Sequence, residues 1–137
     1  MKHTYENAVN LIGRFLIAAL FLPAGIAKLT GFAGTVGYIQ SVGLPSPTAA
    51  AVIALVVEIA GGVALIVGYQ TRIAAVVLAI FTFFASVFFH AYWAAPADQA
   101  FVAQLLFFKN IAVMGGLLVL ASAGAGSFSI DGRKAAK

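Results

Sequence analysis

Twenty-five consecutive uncharged residues separate Arg72 from Asp98, and 21 more separate Lys109 from Asp131. A bilayer core about 30 Å thick is crossed by roughly 20 apolar residues of helix, so each gap is long enough to span. The stretch from Thr48 to Tyr69 carries one charge, Glu58, at its middle. The stretch from Ala8 to Leu29 carries Arg14 near its start and Lys28 at its end. The pattern predicts four spans, at about 8–29, 48–69, 72–93 and 103–125. Runs such as IAAVVLAIFTFFASVFF do not alternate as barrel strands do. The fold class expected is all-α, an integral membrane four-helix bundle.

Composition closes the other routes. Only 9% of the residues are charged and mean hydropathy is +1.05, which leaves neither a soluble coat nor a disordered chain. Without cysteine there is no disulfide, thiolate metal site or thiol redox centre. Eight scattered Lys and Arg make no clustered basic face, so nucleic acid is not a partner. Four helices in so short a chain leave no room for a separate soluble domain. Residues 8–27 have the look of a signal-peptide core, but Arg14 interrupts them and three further spans follow.

The connections add detail. Gly68-Tyr69-Gln70-Thr71 is a tight turn and Ala95-Pro96-Ala97-Asp98-Gln99 a short polar loop. In the long connection 30–47, Phe32, Val36, Ile39 and Val42 recur at helical spacing. That predicts a short amphipathic helix at the membrane interface, capping the outer mouth of the bundle. The polar tail 127–137 is expected to be loosely ordered. With an even number of spans, Lys2, Arg14, Arg72, Arg133, Lys134 and Lys137 share one side, against Lys28 and Lys109 on the other. The positive-inside rule then puts both termini in the cytoplasm.

Ionisable groups inside a span cost roughly 2.5–3.5 kcal/mol each and need partners or a function. The candidates are Arg14, Lys28, Glu58, His90 and Lys109, with Asn110 beside the last. Each has a plain alternative. Arg14, Lys28 and Lys109 can snorkel to the headgroups, Glu58 can serve a structural ion pair, and His90 can be a packing residue. By helical rise, Glu58 falls near mid-membrane, with Arg14 roughly 6 Å to the inner side and Lys109 roughly 6 Å to the outer. The expectation is one carboxylate held between Arg14 and Lys109, with Lys28 and His90 above. Thr82, Ser86, His90 and Trp93 form a polar stripe on the third span, and Gly61, Gly62, Ala112 and Gly116 offer small inward faces. Three cations face one acid, and a quinone carbonyl, a small oxyanion or a lipid headgroup would satisfy the surplus.

The same positions carry a resemblance. Arg14-x6-Phe21-x2-Ala24-Gly25-x2-Lys28-Leu29, then Glu58-x2-Gly61-Gly62-x2-Leu65-x2-Gly68 with Thr71-Arg72, then Lys109-Asn110-x4-Gly115-Gly116-Leu117-Leu118 resemble the first, second and fourth helices of DoxX-like membrane proteins. The resemblance covers about residues 10–120. It implies a four-helix protein of the bacterial inner membrane. It also implies a small subunit linked to quinone-dependent redox chemistry or oxidative stress, or a maturation or assembly factor.

Two functions follow as expectations. In the first, the chain is a membrane subunit of a redox system, at most part of a quinone-linked oxidoreductase. It binds a quinone or oxyanion in the outer half through Glu58, Lys109, Asn110 and His90, with Arg14 and Lys28 completing the charge network. A lone His supplies neither a haem nor a metal site, so no metal and no covalent cofactor are expected. In the second, it is a non-catalytic scaffold with a purely structural charge network. Its partners would be the bilayer, a protein subunit or a second copy.

Overall fold

The computed structural model describes residues 2–135. The elements are α1 (Lys2–Thr30), α2 (Phe32–Ser41), α3 (Pro47–Val67), α4 (Thr71–Phe89), a 3₁₀ turn (Tyr92–Ala94), α5 (Ala97–Ala123) and α6 (Ile130–Ala135). Four segments are long and apolar enough to cross a membrane: His3–Thr30, Pro47–Val67, Thr71–Ala94 and Ala97–Ala123. No strand occurs among the described residues. The chain is all-α.

Helix ends follow local chemistry. Pro47 opens α3, where its missing N–H costs nothing. Gly68, at φ 67°, closes α3 in the left-handed region that favours glycine. Pro96 caps α5, which starts at Ala97 rather than near 103, with Asp98 in the first turn where the dipole favours an acid. Similarly α1 begins at Lys2, well before residue 8. Apolar runs mark the buried length of a helix, and the helices continue past them.

Packing inverts the soluble pattern. Buried positions on α3 are Ala51, Ala54, Glu58, Gly62 and Leu65; on α4 they are Thr71, Ala75, Leu78, Ala79, Thr82 and Ser86. Large side chains such as Leu16, Ile53, Ile73, Ile80 and Val119 point outward. In lipid no hydrophobic force draws them in, and small interior residues let backbones approach. A Cβ on Gly25 would sit 2.7 Å from Ile59 Cγ1 and 3.1 Å from its backbone nitrogen, so only glycine permits this α1–α3 contact. Antiparallel pairs α1/α3 and α4/α5 meet through a core of Ala18, Phe21, Leu65, Ala75, Leu78, Ala79, Leu117 and Leu120. Gly61 and Gly62 turn inward, against Leu78 and Leu22. The expected small face of α5 does not: Ala112 and Gly116 are exposed.

The end of the bundle holding Arg14 is tied by side chains capping backbone. The Arg14 guanidinium is 0% exposed. It donates to the carbonyls of Leu65 (2.9 Å) and Ile66 (3.1 Å) in the last turn of α3, to Phe128 (2.6 Å), and to Asn10 Oδ1 (3.1 Å). Arg72 does the same for α5, donating to the carbonyls of Ala121, Ser122 and Ala123. Both cations sit where the negative end of a helix dipole wants one.

The tail is ordered into this end, contrary to expectation. Asp131 accepts from Gln70 N and Thr71 N, each at 2.9 Å, capping α4 from a distant helix, and its own N–H donates to Gly68 O at 2.9 Å. Asn7 Oδ1 accepts from Ser127 N at 2.9 Å. Orphan backbone groups at the end of α3 and the start of α4 gain more from the tail than the tail gains from water. Lys137 and the side chain of Lys2 lie outside the described residues.

Burial alone would raise the Asp131 carboxyl. The hydrogen bonds from Thr71 and Gln70, with Lys134 nearby, outweigh it and hold the group below its ordinary value of 3.8. A depressed acid stabilises the fold above its ordinary value and loses that stabilisation as pH falls through the lowered one. Asp131→Asn, which removes the negative charge at the start of α4, should therefore destabilise the protein by about 0.3–1 kcal/mol at neutral pH. Melting curves should show the gap to the parent closing below pH 3.8. A gap independent of pH would show that the charge contributes nothing.

Candidate functional site

At the opposite end the two helix pairs part. Gly25 lets α1 approach α3 at Glu58, since a Cβ there would lie 3.0 Å from Glu58 Cβ. Lys28 follows one turn later on the same face of α1. Its Nζ lies 2.8 Å from Glu58 Oε2 and donates a hydrogen bond to Oε1 at 3.0 Å. The Glu58 side chain is only 7% exposed, against 29% for Lys28. Oε2, although in ionic contact, has no donor aligned to it.

This pair borders a cavity of about 550 Å³. Its walls are α1 (Leu20, Phe21, Ala24), α3 (Ala50, Ile53, Ala54) and α4 (Phe81, Thr82, Phe84, Ala85, Phe88), with Lys109 and Asn110 from α5. Thr35, Tyr38 and Ile39 of α2, with Leu44 and Pro45, complete the lining. Ile39 is buried, and the Tyr38 ring lies 5.4 Å from that of Phe89.

Five of the six residues expected at the site come together here: Lys28, Glu58, His90, Lys109 and Asn110 all line the cavity. Arg14 does not, because backbone carbonyls at the other end consume its donors. The acid is therefore not held between Arg14 and Lys109. Its partner is Lys28, the cation expected to reach the headgroups, while Lys109 lies at an exposed position on the cavity's edge. The polar stripe of α4 also breaks. Thr82 and Ser86 are buried and donate to Leu78 O and Thr82 O, each at 2.7 Å. His90 caps the end of α4, and Trp93 sits exposed in the 3₁₀ turn, edge-on to Tyr92 and Phe107.

The sequence reading missed the aromatic wall of Tyr38, Phe81, Phe84, Phe88 and Phe89. The signal was present as the Phe-rich run of α4. Together the groups offer a carboxyl paired with Lys28, an amide at Asn110 (6% exposed) that both donates and accepts, an imidazole, and apolar walls. Ligand pockets are of this kind: mostly apolar, with a few convergent polar groups.

Replacing either member of the ion pair leaves the other unpaired. Glu58→Leu should lower stability in detergent by about 3–5 kcal/mol, and Lys28→Met by roughly 3 kcal/mol because its side chain is partly solvated. The double change Lys28→Met with Glu58→Leu should recover most of the loss. Thermal melts of the three variants form the cycle; additive losses would show that the pair is uncoupled.

The fold and the cavity agree with what the chain resembles. The DoxX family model matches residues 9–91, which takes in Arg14, Lys28, Glu58 and His90. The chain is 40% identical over 126 residues to the inner membrane protein YqjF of Escherichia coli, covering 92% of each chain. It is 37% identical over 123 residues to the inner membrane protein YphA of the same organism, covering 90% of this chain and 88% of that one. A Bacillus subtilis protein provisionally named oxidoreductase CatD is 36% identical over 80 residues, 58% of each chain. No solved structure matches at the same stringency. With four apolar helices of spanning length and a family match over more than half its residues, the chain belongs to the DoxX family.

Proposed function

We infer that this protein is a small subunit of an inner-membrane redox system that binds a quinone headgroup in the cavity between the helix pairs. One observation carries the reading: a mostly apolar, aromatic-walled cavity of about 550 Å³ converges on Glu58, Asn110 and His90. A quinone ring suits the aromatic wall. Its two oxygens suit a set that both donates and accepts, because quinone and quinol exchange those roles. The provisional naming of CatD as an oxidoreductase lends support. A small oxyanion is less well served, since Glu58 neutralises Lys28 and leaves Lys109 alone at the edge.

Purification in mild detergent, extraction and mass spectrometry test this. The parent should retain a quinone, and Asn110→Leu and Glu58→Gln should lose most of it. A parent without quinone, or variants that retain it equally, would overturn the reading. The second reading, a scaffold or assembly factor, is favoured by Arg14, Arg72 and Asp131 all being spent on tying helices together. An empty cavity with a stoichiometric co-purifying protein would select it.

The charge distribution supports an orientation for this reading. The names of the two Escherichia coli relatives support an inner-membrane location. Arg14, Arg72, Arg133 and Lys134 lie on the clasped end, which the positive-inside rule assigns to the cytoplasm. The cavity then opens in the outer half, with α2 in the outer interface as its cover. Reporter fusions should place residue 137 and the turn at Gln70 in the cytoplasm, and the 30–47 and 95–100 loops outside. Periplasmic activity from a C-terminal fusion would reverse the assignment.

A further inference from the structure

The lining of the cavity is not uniform around its circumference. On the side where α1 faces α5, the edge carries Lys28 and Lys109. On the side where α3 faces α4, it carries Ile53, Phe84 and Phe88, which are 60%, 51% and 45% exposed on the outer surface while also lining the cavity. A side chain that both lines a cavity and faces outward marks a mouth. Here that surface belongs to two spanning helices, so what lies outside is hydrocarbon. Tyr38 against Phe89, with Leu44 and Pro45, covers the end of the cavity. Glu58 lies about 7 Å deeper along α3 than Ile53, so the polar groups sit beyond the apolar mouth.

We propose that the cavity opens sideways into the bilayer between α3 and α4, through a mouth formed by Ile53, Phe84 and Phe88, and that the ligand's hydrocarbon tail occupies that mouth while its polar head lies against Glu58 and Asn110. The proposal rests on the quinone reading and narrows it to membrane-dissolved quinones with an extended tail. Stacked Phe84 and Phe88, with ring centroids 6.2 Å apart, present flat apolar faces that suit an isoprenoid or alkyl chain. The Lys28 and Lys109 edge repels such a chain, because placing it there would strip water from two ammonium groups. A ligand of this class reaches the site by diffusing in the membrane plane and need never cross the interface.

The test uses the full chain in lipid nanodiscs and two quinones with the same ring. One is tail-less; the other carries a decyl tail ending in a diazirine. Binding of the ring is measured first with the tail-less compound. Photolabelling by the tailed compound, counting only adducts that excess tail-less quinone suppresses, should map to Ile53, Phe84 or Phe88. Ile53→Trp should weaken the tailed compound about tenfold more than it weakens the tail-less one. Suppressible adducts confined to Ala24 and Lys109, or equal effects of Ile53→Trp on both compounds, would overturn the mouth while sparing the quinone site. Failure of both compounds to bind would overturn the quinone site and the mouth with it.

Discussion

Arg14 is the residue on which the rest of the architecture depends. An arginine in a span must find acceptors, and in place of a carboxylate it takes the carbonyls of Leu65, Ile66 and Phe128. Those bonds join three parts of the chain: the N-terminal half of α1, the last turn of α3 and the tail. They also fill orphan acceptors that a helix end inside a low-dielectric region could not otherwise satisfy. Arg72 repeats the arrangement between α4 and α5, and Asp131 supplies the complementary anion at the start of α4. One end of the bundle is thereby closed by polar bonds that use backbone as partner, and the other end is free to part around a cavity.

The cavity has its own constraint. Opening a bundle in lipid exposes backbone and small residues to a void, and a void loses dispersion contacts on every wall. The structure limits this by confining the parting to the half of the bundle opposite Arg14. The core residues Ala18, Leu65, Ala75, Leu78 and Leu117 remain fully enclosed below it. Above, α2 packs on α1 and α3 with Ile39 buried. The void that remains is lined by large aromatic side chains and reaches Glu58 at the middle of α3. Its contents, not its walls, must complete the packing.

The spans were legible because long uncharged runs admit one reading in a chain of this composition. The site was legible in part for a related reason: polar residues within spans are few, and the antiparallel order brings Lys28, Glu58, His90 and Asn110 to one level. Arg14 was misplaced because a depth estimate based on helical rise considers only side-chain partners. It overlooks the helix-end carbonyls, which outnumber carboxylates and are invisible as residue letters. The tail was misread on the same ground. Asp131 looks like part of an ordinary polar terminus until the N-terminus of α4 is placed beside it. Conversely, Gly25 could be matched to a pattern, but its work, admitting the backbone of Ile59, shows only in three dimensions.

The Lys28–Glu58 pair is the strongest argument that the cavity is a binding site and not a packing defect. Buried ion pairs contribute little net stability, because desolvation offsets much of their attraction, and well-packed apolar residues of similar volume do as well or better. If stability were the sole requirement, Leu or Met at both positions would suffice. The structure instead keeps a carboxylate with both oxygens in contact with the Lys28 ammonium, beside the Asn110 amide. Lys28 holds the carboxyl oriented in an apolar wall of the cavity, where a hydrocarbon packing residue would fill the space better.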